Sequence, residues 1–318
     1  MDDFHAAPYE PDFAPEWDAL VHQSTNGTFQ HTRRFLAYHG DRFVDRSVVL
    51  RAGSTLVAVL PAAEDPAAPG RVTSHPGLSF GGLIRHPKLR GEDVVTAFEL
   101  IAGSLRGAGA SSLRYKAVPM PYQRPVGADD SYALFRMGAQ RVRCDLAVVV
   151  DTDRPGTPNT NRRRSLNRAR ASDVDVSMDL AHLEAYYGVL SDRLRDRHGA
   201  TPTHTLDELR HLVELFPSSI RLATALIDGS VEAGVLTFDS PAVVMAQYIG
   251  SSEIGRSCSA LDLVFHDLIA ATAASDARWF NFGTCNEDEG RVLNESLYAY
   301  KLSFGGGSIA CEHFELAL

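Results

Sequence analysis

The residues best equipped for chemistry in this 318-residue chain are few and scattered. Lys301 falls in the last turn before Phe304-Gly305-Gly306-Gly307. A cation there suits the negative end of a helix dipole and can equally reach a bound anion. Tyr298 and Tyr300 flank it, Tyr298 nearer the polar side and Tyr300 toward a core. Glu287, Asp288 and Glu289 follow Gly283 at a strand end, where a carboxylate could take an amine proton through water. The same acids would complement a helix N-terminus. Arg162-Arg163-Arg164, Arg168 and Arg170 concentrate positive charge in one segment, which reads as a solvated helix face or as a phosphate contact. Arg193, Arg195, Asp196, Arg197 and His198 end another helix before Gly199, where basic residues suit the C-terminus.

Other chemistries find no support. Cys144, Cys258, Cys285 and Cys311 show no C-x-x-C spacing, and the histidines no H-x-x-x-H, so no metal cage or disulfide framework is expected. There is no G-x-S-x-G and no Walker loop, which disfavours hydrolases and NTPases. A net charge of −9 argues against a broad DNA-coating surface, though not against a local basic groove. No apolar run reaches the roughly 18 residues a membrane helix needs. The acidic start, Met1-Asp2-Asp3, lacks the apolar core of a signal peptide, and the expected location is cytoplasmic.

These residues need elements to hold them. Residues 1–15 read as a loosely held arm, and Trp17–Val21 and Arg33–Tyr38 as short helices. Strands are expected at Ser47–Arg51 and Thr55–Leu60, a helix at Glu92–Leu105, a strand at Leu113–Ala117, a helix at Asp129–Met137 and a strand at Val142–Val150. Asp151–Asn161, with Pro155 and Pro158, reads as a linker. Helices follow around Leu183–Asp196 and Leu206–Leu215, then three strands at Ile220–Leu226, Val231–Phe238 and Ala242–Ile249, and a helix at Ala260–Ala274. The chain closes with a strand at Arg278–Gly283, a helix at Glu289–Ser303 and a strand at Ser308–Leu316.

The order repeats. Ala52-Gly53-Ser54 corresponds to Asp228-Gly229-Ser230, Phe98 and Ile101 to Phe265 and Ile269, and Phe135 to Phe304, the last three pairs offset by 167 to 169 residues. A nearly constant offset across several elements indicates a tandem duplication of one α/β unit. The expected domains are 1–155 and 156–318.

Each unit, read as helices, a three-strand meander, helix, strand, helix and strand, resembles the GNAT acyltransferase fold. Two in tandem resemble the Fem-type ligases, aminoacyl-tRNA-dependent enzymes that build peptidoglycan bridges, and their wider relatives. Phe280-Asn281-Phe282-Gly283, then Leu293-Asn294, then Lys301-Leu302-Ser303-Phe304-Gly305 is similar to that family's closing motif. Thr28-Phe29-Gln30 and Ser79-Phe80-Gly81-Gly82 resemble its first-unit signatures. The stretch Gly250–Ala260 departs from the ordinary GNAT loop whose backbone N–H groups hold the coenzyme A pyrophosphate. Lys301 also fills the place where many GNAT enzymes carry a tyrosine.

The resemblance implies an N-acyltransferase with aminoacyl-tRNA as donor, acyl-CoA as the alternative donor, and a catalytically silent binding module as a third reading. It implies a degenerate first unit on the acceptor side and a catalytic second unit. Lys301, Tyr248, Ser251, Ser252, Arg256, Arg163 and Arg168 would bind the donor and the tRNA acceptor end. Arg193 and His198 would recognise a small amine-bearing acceptor, with Glu287 and Tyr298 as catalytic groups. Backbone N–H groups of Ala246–Ile249 would meet the developing oxyanion. An aminoacyl ester is already activated, so no cofactor or metal is implied.

Overall fold

The computed structural model describes residues 4–318, except for the side chain of His198. The chain forms two compact units. The first comprises Met1–Leu146, Asn286–Val292 and Ala310–Leu318; the second comprises Ala147–Cys285 and Leu293–Ile309. The expected single cut at residue 155 therefore gives way to an earlier crossing and two later returns of the chain.

In the first unit, Phe4–Pro8, Val48–Ala52, Thr55–Leu60 and Ile84–Arg85 form an antiparallel sheet in that order. A second set pairs Ala63–Glu64, Arg71–Thr73, Ser112–Lys116 and the C-terminal segment His313–Ala317. The helix Glu92–Gly107 buries Val94, Val95, Phe98, Ile101 and Leu105, the face its periodicity announces, in a core with Leu50, Leu60 and Tyr115. The opening arm is not loose. Phe4–Pro8 pairs with Val48–Ala52, Phe4 and Ala6 pack on the core, and Tyr9 meets Trp17 edge-on at 5.4 Å.

In the second unit, the meander Ile220–Ile227, Ser230–Asp239 and Val243–Ser251 is antiparallel, and Asp175–Ser177 adds an edge strand. Asp228 and Gly229 both take positive φ (49° and 77°), as a two-residue hairpin turn matched to strand twist requires. Trp279–Thr284 runs parallel to the third meander strand and antiparallel to Ala147–Asp151. Phe265, Phe280, Phe282 and Phe304 form an aromatic core, with ring centroids 4.8 Å apart for Phe265–Phe282 and 5.1 Å for Phe282–Phe304. The expected linker is packed rather than free: the Gly156 amide donates to the Gly305 carbonyl at 3.0 Å. A Cβ on either glycine would collide with the other's backbone, so both positions need glycine.

The closing helix is shorter than its pattern suggests. It spans Glu295–Leu302, and Asn294 caps it by accepting the Leu297 amide at 3.0 Å. The acids before it belong to a hairpin of Asn286–Glu287 with Val292–Leu293. Glu289 and Gly290 take φ of 50° and 91°, which no continuing helix tolerates.

Candidate active site

The third meander strand and Trp279–Thr284 pair only over Val243–Met245 and Trp279–Asn281, and separate beyond that register. On its other side the meander pairing shifts between Leu236↔Tyr248 and Thr237↔Ala246, so Gln247 is bulged. A cleft of about 500 Å³ opens beside the far end of this strand, with Ile249, Gly250 and Ser251 on one wall. Leu261, Asp262 and Phe265 of the helix Ala260–Ala273 and Leu297, Tyr300 and Lys301 of the helix Glu295–Leu302 line it too.

Lys301 lines this cleft from the last turn of its helix, the helix-end position expected for it, and is only 4 % exposed. Its Nζ donates to the carbonyl oxygens of Thr284 at 2.8 Å and Gly283 at 3.1 Å. The left-handed Gly283 (φ 77°), whose amide donates to Asn281 Oδ1, turns those carbonyls out of the strand ladder. Burial pulls the lysine pKa below its ordinary value, and the neighbouring Cys285 opposes the shift. Burial likewise raises the Cys285 pKa, with Lys301 acting against it. The thiol therefore stays protonated at neutral pH.

Beneath the cleft, Asp262 accepts from Arg162 and, at 2.9 Å, from the Tyr300 hydroxyl. The Arg162 guanidinium lies 4.6 Å from the Tyr300 ring centre and 5.0 Å from that of Phe304. Burial first, and then the Asp262 carboxylate, hold the Tyr300 phenol far above its usual pKa. Tyr300 is thus a hydrogen-bond donor, not an acid.

The structure gathers four of the anticipated residues in this one cleft: Lys301, Ser251, Arg256 and Arg193. Arg193 was expected on the acceptor side, and it shares the cleft with the donor-side group. Ser252 is taken up in capping: its Oγ accepts the Gly255 amide at 3.0 Å and donates to Glu232. Tyr248 is not a lining residue; its hydroxyl is 2.5 Å from His204 Nδ1 and accepts the His204 amide at 3.2 Å. Arg163 and Arg168 are exposed on the helix Thr160–Ala171, and Tyr298 packs half-buried against the second unit's core. Glu287 is exposed and belongs to the first unit. His198 lies outside the described side chains. Asp262 was not singled out by the sequence, and Tyr300, Arg197 and Cys285 were named without a place in the site. A carboxylate in the first turn of an apolar helix, Ala260–Ala273, was the one available signal for Asp262.

Among the described residues no cluster of three or more His, Cys, Asp or Glu could hold a metal ion. No helix among them is long and apolar enough to cross a membrane.

Residues 159–301 match the acetyltransferase (GNAT) domain family. The comparison with curated protein sequences gave no match. Among solved structures the chain resembles FemX, with a TM-score of 0.73 at 11 % identity, over 99 % of this chain and 97 % of that one. It also resembles L-PGS from Bacillus licheniformis (TM-score 0.64, 12 % identity, 96 % and 91 % covered). A tandem GNAT protein from the clavulanic acid biosynthesis pathway matches at TM-score 0.52 and 12 % identity, over 99 % and 98 % of the two chains. The chain therefore shares the tandem GNAT-type fold of these structures, and residues 159–301 match the acetyltransferase (GNAT) domain model.

Proposed function

We propose that the second unit's cleft binds an activated acyl donor, and that the protein transfers an aminoacyl group from aminoacyl-tRNA to the amine of a small-molecule or peptide acceptor. The observation that carries this reading is the buried, cleft-lining ammonium of Lys301, held by two backbone carbonyls beside splayed strands. A lysine so placed can stabilise negative charge on a departing oxygen or on a nearby phosphate. The amine nitrogen attacks the ester carbonyl, the new C–N bond forms, and the C–O bond to the ribose breaks. The amine proton passes through water to the departing oxygen. Past Met245 the meander strand has no partner on its Trp279–Thr284 side, and backbone N–H groups of Ala246–Ile249 serve there as oxyanion donors. Fem-type resemblance and the similarity to FemX favour tRNA as carrier.

The match of residues 159–301 to an acetyltransferase domain favours a second reading, acyl-CoA as donor. The test incubates purified protein with labelled aminoacyl-tRNAs and candidate amines, with RNase as control. RNase-sensitive transfer into a small product, lost in Lys301→Met, is expected. Absence of transfer together with saturable thermal stabilisation by coenzyme A would replace tRNA by acyl-CoA.

A further inference from the structure

One pair of side chains in the second unit is built for proton transfer and has no part in the steps derived above. His204 Nδ1 and the Tyr248 hydroxyl meet at 2.5 Å. His204 ends the connection between the helices Leu183–His198 and Leu206–Leu215. The next residue, Thr205, caps the second of these: its Oγ accepts the Glu208 amide at 3.2 Å, and the Glu208 carboxylate accepts the Thr205 amide at 2.8 Å. The Tyr187 hydroxyl donates to the His204 carbonyl at 3.2 Å and holds the connection from the first helix. His204 is thereby left 6 % exposed, edge-on to the rings of Phe238 and Tyr248 at 6.4 and 5.7 Å between centroids.

The proton between them can be assigned. The Tyr248 oxygen accepts the His204 amide at 3.2 Å, and the Thr203 and Gln247 side chains reach the same oxygen. An oxygen so supplied with donors has its lone pairs occupied, and its single O–H goes to the acceptor in contact, Nδ1. Burial first of all holds the Tyr248 phenol above its ordinary pKa. The phenol is therefore a conduit, and the imidazole is the base. Position gives the pair a use. Tyr248 follows the bulged Gln247 and precedes Ile249, which lines the cleft. Successive residues of a strand face opposite ways, so Ile249 meets the cleft while Tyr248 looks onto the other face of the same stretch, unpaired past Met245 on its Trp279–Thr284 side.

We propose that Tyr248 and His204 form the relay that carries the attacking amine's proton. The relay rests on the acyl-transfer reading above and holds for either carrier. As the C–N bond forms, the amine proton passes through water to the Tyr248 oxygen, and the phenol's own proton moves to His204 Nδ1. When the bond to the carrier breaks, the imidazolium returns its proton by the same route to the departing atom, and the pair is restored. Protonation of Nδ1 from solvent removes the acceptor, so turnover falls as pH drops through the pair's titration. Ionisable groups facing the pair from the packed helices are Tyr186, Tyr187 and Glu208, and His204→Gln separates their titration from that of the imidazole.

The test joins nitrogen NMR of the wild-type imidazole to transfer kinetics with labelled aminoacyl-tRNAs and with acetyl-CoA, in Tyr248→Phe, His204→Gln and the double variant. Nδ1 should carry no proton at neutral pH. Each single variant should lower kcat by about a hundredfold while the KM for the donor stays within about twofold. The double variant should be no slower than the slower single one, because the two residues act as one device. The acid limb of the wild-type kcat profile should be absent from His204→Gln. A protonated Nδ1, wild-type kcat in either folded variant, or additive losses with the acid limb intact overturns the relay. Should the variants fail to fold, wild type decides: an unprotonated Nδ1 with an acid limb at the imidazole's own titration supports the relay, and a profile without that limb overturns it. Normal wild-type transfer with unaffected variants removes the relay alone. Wild type inert toward both carriers removes the proposed function, and the relay with it.

Discussion

Arg162 and Asp262, a hundred residues apart in the chain, form an ion pair whose side chains are 12 % and 8 % exposed. The pair ties the helix Thr160–Ala171 to the helix Ala260–Ala273 under the cleft, and Tyr300 completes it. Removing one partner from a buried pair strands a charge, which costs about 3–5 kcal/mol. Arg162→Ala should therefore lower the urea midpoint strongly, whereas Arg163→Ala and Arg164→Ala, both exposed, should leave it nearly unchanged. Joint neutralisation of Arg162, Arg163 and Arg164 would accordingly confound folding with binding. A double-mutant cycle of Arg162→Met with Asp262→Asn measures the coupling. Additive losses would show the pair to be inert.

Lys301 makes two demands that one variant set can separate. Lys301→Met keeps most of the volume but strands the Gly283 and Thr284 carbonyls, at a cost of about 1–3 kcal/mol. Transfer activity should fall far more than this stability change would produce, and Lys301→Arg should not restore it, because the larger fork does not fit the buried position. A folded Lys301→Met protein with wild-type turnover would exclude the lysine from the chemistry.

Asn294 caps the helix that carries Lys301. Asn294→Ala should destabilise the protein by about 1 kcal/mol, and Asn294→Asp should be close to neutral. Amide exchange within Glu295–Leu302 should accelerate selectively in Asn294→Ala. Unchanged exchange there would mean that the helix is held by packing alone.

The first unit should be acid-labile. Burial holds His31 at a pKa of about 4 and His75 and His313 at about 3; neighbouring cations, Lys116 among them, depress the last two further. These values lie below the ordinary 6.5, so between the two the unfolded chain binds more protons. Stability is then full above pH 6.5 and falls as pH drops toward 3, by up to about 1.4 kcal/mol per pH unit for each histidine. Trp17 donates to the His31 carbonyl at 2.8 Å, so its fluorescence in a Trp279→Phe background reports on this unit. Urea midpoints should decline from pH 7 to pH 5. A flat profile would show that these imidazoles protonate without unfolding.

Much of the framework was legible because it rests on local rules. The helix Leu206–Leu215, the hairpin at Asp228-Gly229 and the apolar face of Glu92–Gly107 follow from spacing and turn chemistry. The position of Lys301 was legible from its motif, but its burial was not, since helical periodicity assigns a lysine to the polar face. Arg162 was hidden in a run of arginines of which it alone turns inward to a carboxylate a hundred residues away. The acids Glu287–Glu289 imitated a helix start, and only the positive φ values at Asp288, Glu289 and Gly290 show why no helix begins there. Arg193 was separated from Arg256 for a similar reason: their shared cleft is a product of tertiary packing.

The pairing of His313–Ala317 with Ser112–Lys116 sets an order of manufacture. During synthesis the first unit emerges from the ribosome early but waits for a strand translated after everything in the second unit. Until then Ser112–Lys116 presents an open edge to other nascent chains, a hazard that compact units usually avoid. A released chain truncated after Ile309 should accordingly leave the older half of the polypeptide, not the newer, open to chaperones and proteases.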